Sequence, residues 1–203
     1  MEKTISQHMK ELRDYNIDTY EHSLRVALSC SRLGIANGLE LPEVNLVYHA
    51  GRVHDIGKLK VPLELLTKES ELTEEERTLI EGHVRQGYLI LEGDFFREIR
   101  PIMASHHEFG RRPYPRNGLD RRKEKRCGGR RGEKEGDSER RAEDERVSKL
   151  GQILAVSDMH DALSMPRAYK DALTKEEVRK ILEVEFRGDK KYIEQIINSL
   201  FKL

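Results

Sequence analysis

The sequence has no tryptophan, only two cysteines, and aromatics at 6% of its 203 residues. The cysteine shortage excludes a disulfide scaffold. Cys30 sits in an apolar stretch and Cys127 in a charged one, and thiols so far apart in unlike settings point to a reducing, cytoplasmic compartment. Apolar runs long enough to cross a bilayer are lacking, and Met1-Glu2-Lys3-Thr4 does not open a signal core, so the chain reads as soluble. An excess of either charge is lacking too. Thirty-seven basic and 37 acidic residues give a formal net charge of +0, which removes any global pull toward nucleic acid or an anionic membrane. With so few rings, the core must come from Leu, Ile, Val and Ala, and the length fits one domain.

Helical periodicity runs through nearly all of the chain. From Asp18 to Ala36, Leu24, Val26, Ala27, Leu28, Leu33 and Ile35 form a wide apolar stripe. Pro42 opens a second helix carrying Val44, Leu46, Val47, Ala50 and Val53, with Gly57 just past its end. Pro62 to Leu66 suggests a short helical turn. Thr73 and Glu76 form a capping box, which predicts a helix from about Thr73 to Leu91. Further helices are expected over Phe95–His106, Val147–Leu163, Thr174 to near Gly188, and Asp189–Leu200. Neither strand-like alternation nor an internal repeat is found, so the fold class is all-α, a helical bundle.

One tract interrupts it. From Arg116 to Arg146 apolar residues almost vanish and Arg, Lys, Glu, Asp and Gly replace them. Such composition cannot bury enough surface to offset the entropy of ordering it. It reads as a solvated, charged insertion within one domain. Arg121-Arg122-Lys123, Arg130-Arg131 and Arg140-Arg141 offer a second reading as a basic arm. Interleaved acids and missing aromatics argue against nucleic acid.

The chemistry gathers around His54-Asp55, which ends an apolar helix and precedes Gly57-Lys58. Neighbouring side chains on a helix diverge by roughly 100°. Both reach one site only where the helix stops. His106-His107 follow the same logic, His22 and His83 lie in helices near apolar neighbours, and Asp158 interrupts the apolar run Ile153-Leu154-Ala155-Val156. A buried aspartate needs a partner, and a metal is one. Imidazoles with carboxylates suit Mn, Fe, Zn or Co. Two such ions bridged by a carboxylate can activate a water and neutralise a phosphoryl oxygen. Any one of these residues alone is more simply a hydrogen-bonded side chain; the joint pattern points to a phosphohydrolase.

The motifs closely resemble those of HD-GYP domains, a bacterial branch of the HD phosphohydrolase superfamily. The resemblance rests on His54-Asp55-Ile56-Gly57-Lys58-Leu59-Lys60-Val61-Pro62, on Leu72-Thr73-Glu74 leading to His83 and Gly87-Tyr88, and on His106-His107-Glu108 with Tyr114-Pro115. Asp158, Asp161-Ala162-Leu163 and Arg167-Ala168-Tyr169-Lys170 continue it, so it spans about Asp18 to Lys170. The family implies a helical bundle with two or three metals, often iron or manganese, that hydrolyses cyclic di-GMP. Carried over, the metal ligands are His22, His54, Asp55, His83, His106, His107 and Asp158, with Asp55 the bridging carboxylate. Asp18 is an eighth candidate ligand, standing where members with a third metal carry glutamate; its shorter carboxylate either binds that ion or leaves a two-metal site. Lys58 is implied to meet a substrate phosphate and stabilise developing charge. Tyr114 and Arg167 fall in motifs that would contact substrate.

The chain departs from the family after Glu108. It reads Phe109-Gly110-Arg111-Arg112-Pro113-Tyr114-Pro115, one residue short, without Asp-Gly, and with proline where the glycine of Gly-Tyr-Pro belongs. Proline fixes φ and removes a donor, so this loop takes another backbone path. Arg111 and Arg112 add cationic forks that could clamp a phosphate or lie solvated. The leading expectation is a metal-dependent phosphodiesterase cutting a cyclic dinucleotide, foremost cyclic di-GMP, through a metal-activated hydroxide. The alternatives are the same chemistry on another nucleotide or phosphoester, or a non-catalytic HD-type binding module. No sensory segment precedes the motifs, so control is expected from homodimerisation, a regulatory protein, or metal and redox state.

Overall fold

The computed structural model describes residues 4–111, 137–165 and 173–199. Arg112, Tyr114, Arg167 and most of the charged tract lie outside these residues. Within them the fold is helical, as expected, and the one β-type contact is an isolated bridge between Gly110 and Phe186.

The chain opens with a helix that the sequence pattern did not suggest, α1 (Ile5–Tyr15). Thr4 and Gln7 cap it reciprocally, Gln7 Oε1 accepting from Thr4 N at 2.7 Å. Its buried side chains Ile5, Met9 and Leu12 are too sparse a stripe to stand out in the sequence. Helix α2 (Ile17–Ala36) follows at once, capped by Asn16, whose side chain accepts from Thr19 N at 2.8 Å. Helix α3 (Leu41–Val53) begins with Pro42 in its first turn. A Cβ on Gly51 of α3 would lie 2.8 Å from the Cα of Ala27, so only glycine permits this close crossing of α2 and α3.

The end of α3 is not a left-handed glycine cap. His54 continues in right-handed backbone, and Ile56–Lys60 form a 3₁₀ turn. Positive φ occurs only at Gly38 and Gly93 among the described residues. Gly57 is needed for space instead: a Cβ there would sit 1.8 Å from the His83 carbonyl oxygen.

After α4 (Leu63–Leu66), the single helix expected over Thr73–Leu91 is two: α5 (Glu74–Glu81) and α6 (His83–Ile90). The Thr73–Glu76 capping box forms as expected. Gly82, a poor helix former, breaks the ladder, so His83 starts a helix rather than sitting inside one. The helix expected from Phe95 is likewise shorter. A 3₁₀ turn at Asp94–Phe96 precedes α7 (Ile99–Ala104), whose first turn accommodates Pro101. Helix α8 (Asp137–Ser164) starts well before Val147, because Glu, Arg and Ala favour a helix by their own propensity. Thr174 caps α9 (Lys175–Glu185), and α10 (Lys191–Ser199) closes the described chain.

Helices α1, α2, α3, α7, α8, α9 and α10 share one buried cluster. Leu12, Val26, Leu33, Val47, Val53, Met103, Leu150 and Leu154 are at its centre. Leu, Ile and Val dominate it, as the shortage of rings requires. No helix among the described residues is long and apolar enough to cross a membrane.

Candidate metal centre

Four elements converge on one buried point: α2 through His22, the end of α3 through His54 and Asp55, the start of α6 through His83, and the turn after α7 through His106 and His107. Asp158 of α8 completes the set. His54, Asp55, His83 and His106 are buried. Ligand atoms within 4.8 Å of one another form three overlapping groups: His22, His54 and Asp158; His54, Asp55 and His106; His83, His106 and His107. Seven of the eight residues read as metal ligands from the sequence are therefore brought together, and Asp18 is not among them.

The backbone orients the rings. Nδ1 of His54 lies 2.8 Å from Gly51 O, Nδ1 of His83 lies 2.7 Å from Ile80 O, and Nδ1 of His106 lies 2.5 Å from Met103 O. A carbonyl can only accept, so each Nδ1 carries the proton and each Nε2 is directed into the cluster. His22 is fixed the same way by a side chain, its Nδ1 lying 2.7 Å from Asp161 Oδ2. Arg25 holds that carboxylate with bonds of 2.8 and 3.1 Å.

Asp55 straddles the cluster. Oδ1 lies 3.3 Å from His83 Nε2. Oδ2 lies 3.3 Å from His54 Nε2, 3.7 Å from His22 Nε2 and 2.6 Å from Lys58 Nζ. Asp158 Oδ1 sits 3.0 Å from His22 Nε2 and 3.7 Å from His54 Nε2.

The electrostatics divide the histidines. Burial pushes His83 down to about 4, with Asp55 opposing. Burial, then neighbouring imidazoles, hold His106 well below its ordinary range, and burial lowers His107. Burial acts downward on His54 as well, yet Asp55 and Asp158 outweigh it and raise it to about 10. His22 is raised in the same manner by Asp158 and Asp161. Despite burial, Lys58 and His54 hold Asp55 well below the carboxylate range, and His22 and His54 do the same for Asp158.

These residues fit divalent transition metals. His54 Nε2 is buried and makes no hydrogen bond of its own, facing the carboxylates of Asp55 and Asp158 at 3.3 and 3.7 Å, an arrangement in which a shared cation would satisfy ring and carboxylates together. Five imidazoles and two carboxylates in overlapping groups are the donor set that first-row metals prefer.

The remaining sequence candidates are placed differently. Asp18 is exposed on the first turn of α2 and belongs to none of the three groups. Lys58 is partly exposed beside Asp55. Arg111 is exposed and pairs with Glu185 at 3.6 Å, so its described contact is with α9 rather than with the cluster. Asp161 and Arg25 were missed as site residues. The signal was the three-residue spacing of His22 to Arg25 and of Asp158 to Asp161, which puts each pair on one helix face.

An all-α bundle organised around a buried histidine–aspartate cluster defines the class of this protein. A family model described as the HD domain matches residues 19–163, and the chain belongs to that family. The 3'3'-cGAMP-specific phosphodiesterase 2 of Vibrio cholerae is 30% identical over 169 residues, 81% of this chain and 28% of that protein. A cyclic di-GMP phosphodiesterase of Thermotoga maritima is 28% identical over 207 residues, 98% of this chain and 48% of that protein. The cyclic di-GMP phosphodiesterase response regulator RpfG of Xanthomonas campestris is 32% identical over 68% of this chain and 31% of that protein. The chain thus spans less than half the length of these curated relatives. Among solved structures, the HD domain of L. monocytogenes phosphodiesterase PgpH, in complex with cyclic-di-AMP, superposes with a TM-score of 0.60. It covers 95% of this chain and 92% of that one at 19% identity, a likeness of fold. The resemblance drawn from the motifs is borne out by the family match and by these relatives.

Proposed function

We propose that this chain is a metal-dependent phosphodiesterase acting on a cyclic dinucleotide, with cyclic di-GMP the first candidate. The observation that carries the reading is the Asp55 carboxylate, whose two oxygens face different histidines. That is the geometry a bridging ligand between two ions requires. His22, His54 and Asp158 would hold one ion, and His83, His106 and His107 the other, with Asp55 shared. Iron or manganese is the proposed pair. The exposed Asp18 favours two ions over three. When bound, the ions would supply an activated water and neutralise charge on the phosphoryl oxygens.

The chain's own residues do the rest. Backbone carbonyls and Asp161 fix the tautomers of His22, His54, His83 and His106, so these four rings need not reorient when the site fills. The low values of His83, His106 and His107 keep these rings neutral and able to ligate at neutral pH. Lys58 neutralises Asp55, and its partly exposed ammonium would be the group to meet a substrate phosphate. The cytoplasm is the proposed compartment, and homodimerisation or a regulatory protein the proposed control.

Relatives named for cyclic di-GMP and for 3'3'-cGAMP support the substrate class. A different phosphoester is a second reading, favoured by the proline at position 113 in the sequence and by the pairing of Arg111 with Glu185. The deciding experiment incubates iron- or manganese-reconstituted protein with cyclic di-GMP, 3'3'-cGAMP, cyclic di-AMP and linear dinucleotides. Hydrolysis of a cyclic dinucleotide supports the proposal. Turnover confined to another ester would replace it.

A further inference from the structure

A cavity of about 540 Å³ opens beside the metal centre, between α2, the end of α8 and the start of α9. Its size falls in the range of about 300–1,000 Å³ typical of small-molecule sites. Leu28, Met165, Leu173 and Val178 give it an apolar lining. Leu28 and Met165 are 53% and 39% exposed, so apolar surface is left at its mouth. The charges around it are mainly positive. Arg25 and Arg32, two turns apart on the same face of α2, both line it, and Lys175 enters from α9. Among the described lining residues the acid is Asp161, and both oxygens of that carboxylate are engaged by Arg25, one also by His22. Arg32 is exposed at the rim, with no ion pair among the described residues. A concave apolar surface with the Arg32 cation at its rim is complementary to a molecule having an apolar body and an anionic head.

We propose that this cavity binds a small organic anion, a flat apolar molecule with one phosphate, sulfonate or carboxylate, and that its occupancy reaches the metal centre through Arg25 and Asp161. Arg32 and Arg25 take the head and the leucine and methionine surfaces take the body. An anion that draws on Arg25 leaves more of the Asp161 charge to His22 Nδ1. That makes Nε2 a stronger donor to a cation. Ligand and metal then bind with positive coupling, which by linkage is reciprocal.

The coupling rests on His22 as a metal ligand; the cavity as a binding site does not. The test titrates the full chain with 8-anilinonaphthalene-1-sulfonate, an aromatic body with one sulfonate, and with its uncharged counterpart N-phenyl-1-naphthylamine. One equivalent of the sulfonate binds, and Arg32→Glu weakens it about tenfold or more, as expected for losing a charge-assisted contact. Leu28→Glu weakens both probes. Equal affinity of wild type and Arg32→Glu for the sulfonate overturns the site. Saturating sulfonate then tightens Mn²⁺ binding about fivefold in wild type and not in Arg32→Glu. An unchanged Mn²⁺ affinity overturns the coupling. Failure to bind Mn²⁺ at all overturns the metal reading and the coupling together, while the probe titration still decides the cavity.

Discussion

Gly57 lies against the main chain of His83 so closely that a Cβ would fall 1.8 Å from the His83 carbonyl oxygen and 2.5 Å from Gly87 N. The 3₁₀ turn that follows Asp55 is thereby pressed onto the helix that begins with His83. Two candidate ligands on different elements, Asp55 and His83, are set 3.3 Å apart by this contact. Gly57→Ala must push α6 away, because backbone rather than a flexible side chain occupies the space. It should cost about 3 kcal/mol and reduce bound metal. Denaturant unfolding with metal analysis checks this; wild-type values for both would contradict it.

Asp161 bridges His22 and Arg25. Asp161→Asn removes the charge that supports the ring while keeping the shape. Metal affinity should fall about 10- to 100-fold with the helical fold intact. Mn²⁺ titration alongside circular dichroism measures both effects, and an unchanged affinity would remove Asp161 from the centre.

Metal binding should release protons. His54, raised to about 10 by Asp55 and Asp158 against burial, is an imidazolium at neutral pH and must lose its proton to ligate. His83, lowered to about 4 by burial, already has. Affinity should therefore climb between pH 7 and 9, about tenfold per pH unit for each proton released, while His83 adds no dependence there. Calorimetry of Mn²⁺ binding in two buffers of different ionisation enthalpy counts the protons. A flat affinity over that range would be the opposite result.

Cys30 is a free, fully buried thiol, pushed up to about 12 by burial. A Cys127→Ser chain should show no reaction with Ellman's reagent at pH 8 while folded, and one thiol per chain in denaturant. Rapid reaction of the folded chain would place Cys30 at the surface.

Much of the candidate cluster was legible because polar residues at the ends of helices leave a mark: paired residues followed by a breaker, as in His54-Asp55 before Gly57. Seven of the eight candidates meet in the fold. The supports were not legible. Asp161 holds His22 across 139 positions of sequence, and no local pattern announces such a pair. His83 was placed inside a helix because the apolar period runs through Gly82, whereas the backbone breaks there. Asp18 sits at the right spacing from His22, but it is one methylene shorter than glutamate and remains exposed in the first turn of α2, where a carboxylate is favourable beside the helix N-terminus. Helix α1 was hidden by a stripe of few apolar residues, and only its Thr4–Gln7 box carried a signal.

Metal content of the Asp55→Asn chain, purified anaerobically beside wild type and assayed on cyclic di-GMP and 3'3'-cGAMP, tests the central claim most directly. The substitution keeps the shape and removes the charge that the two groups of ligands share. Wild type should hold two ions per chain, and Asp55→Asn should lose one or both together with hydrolysis while remaining helical. An Asp55→Asn chain that keeps two ions and full turnover would contradict the account.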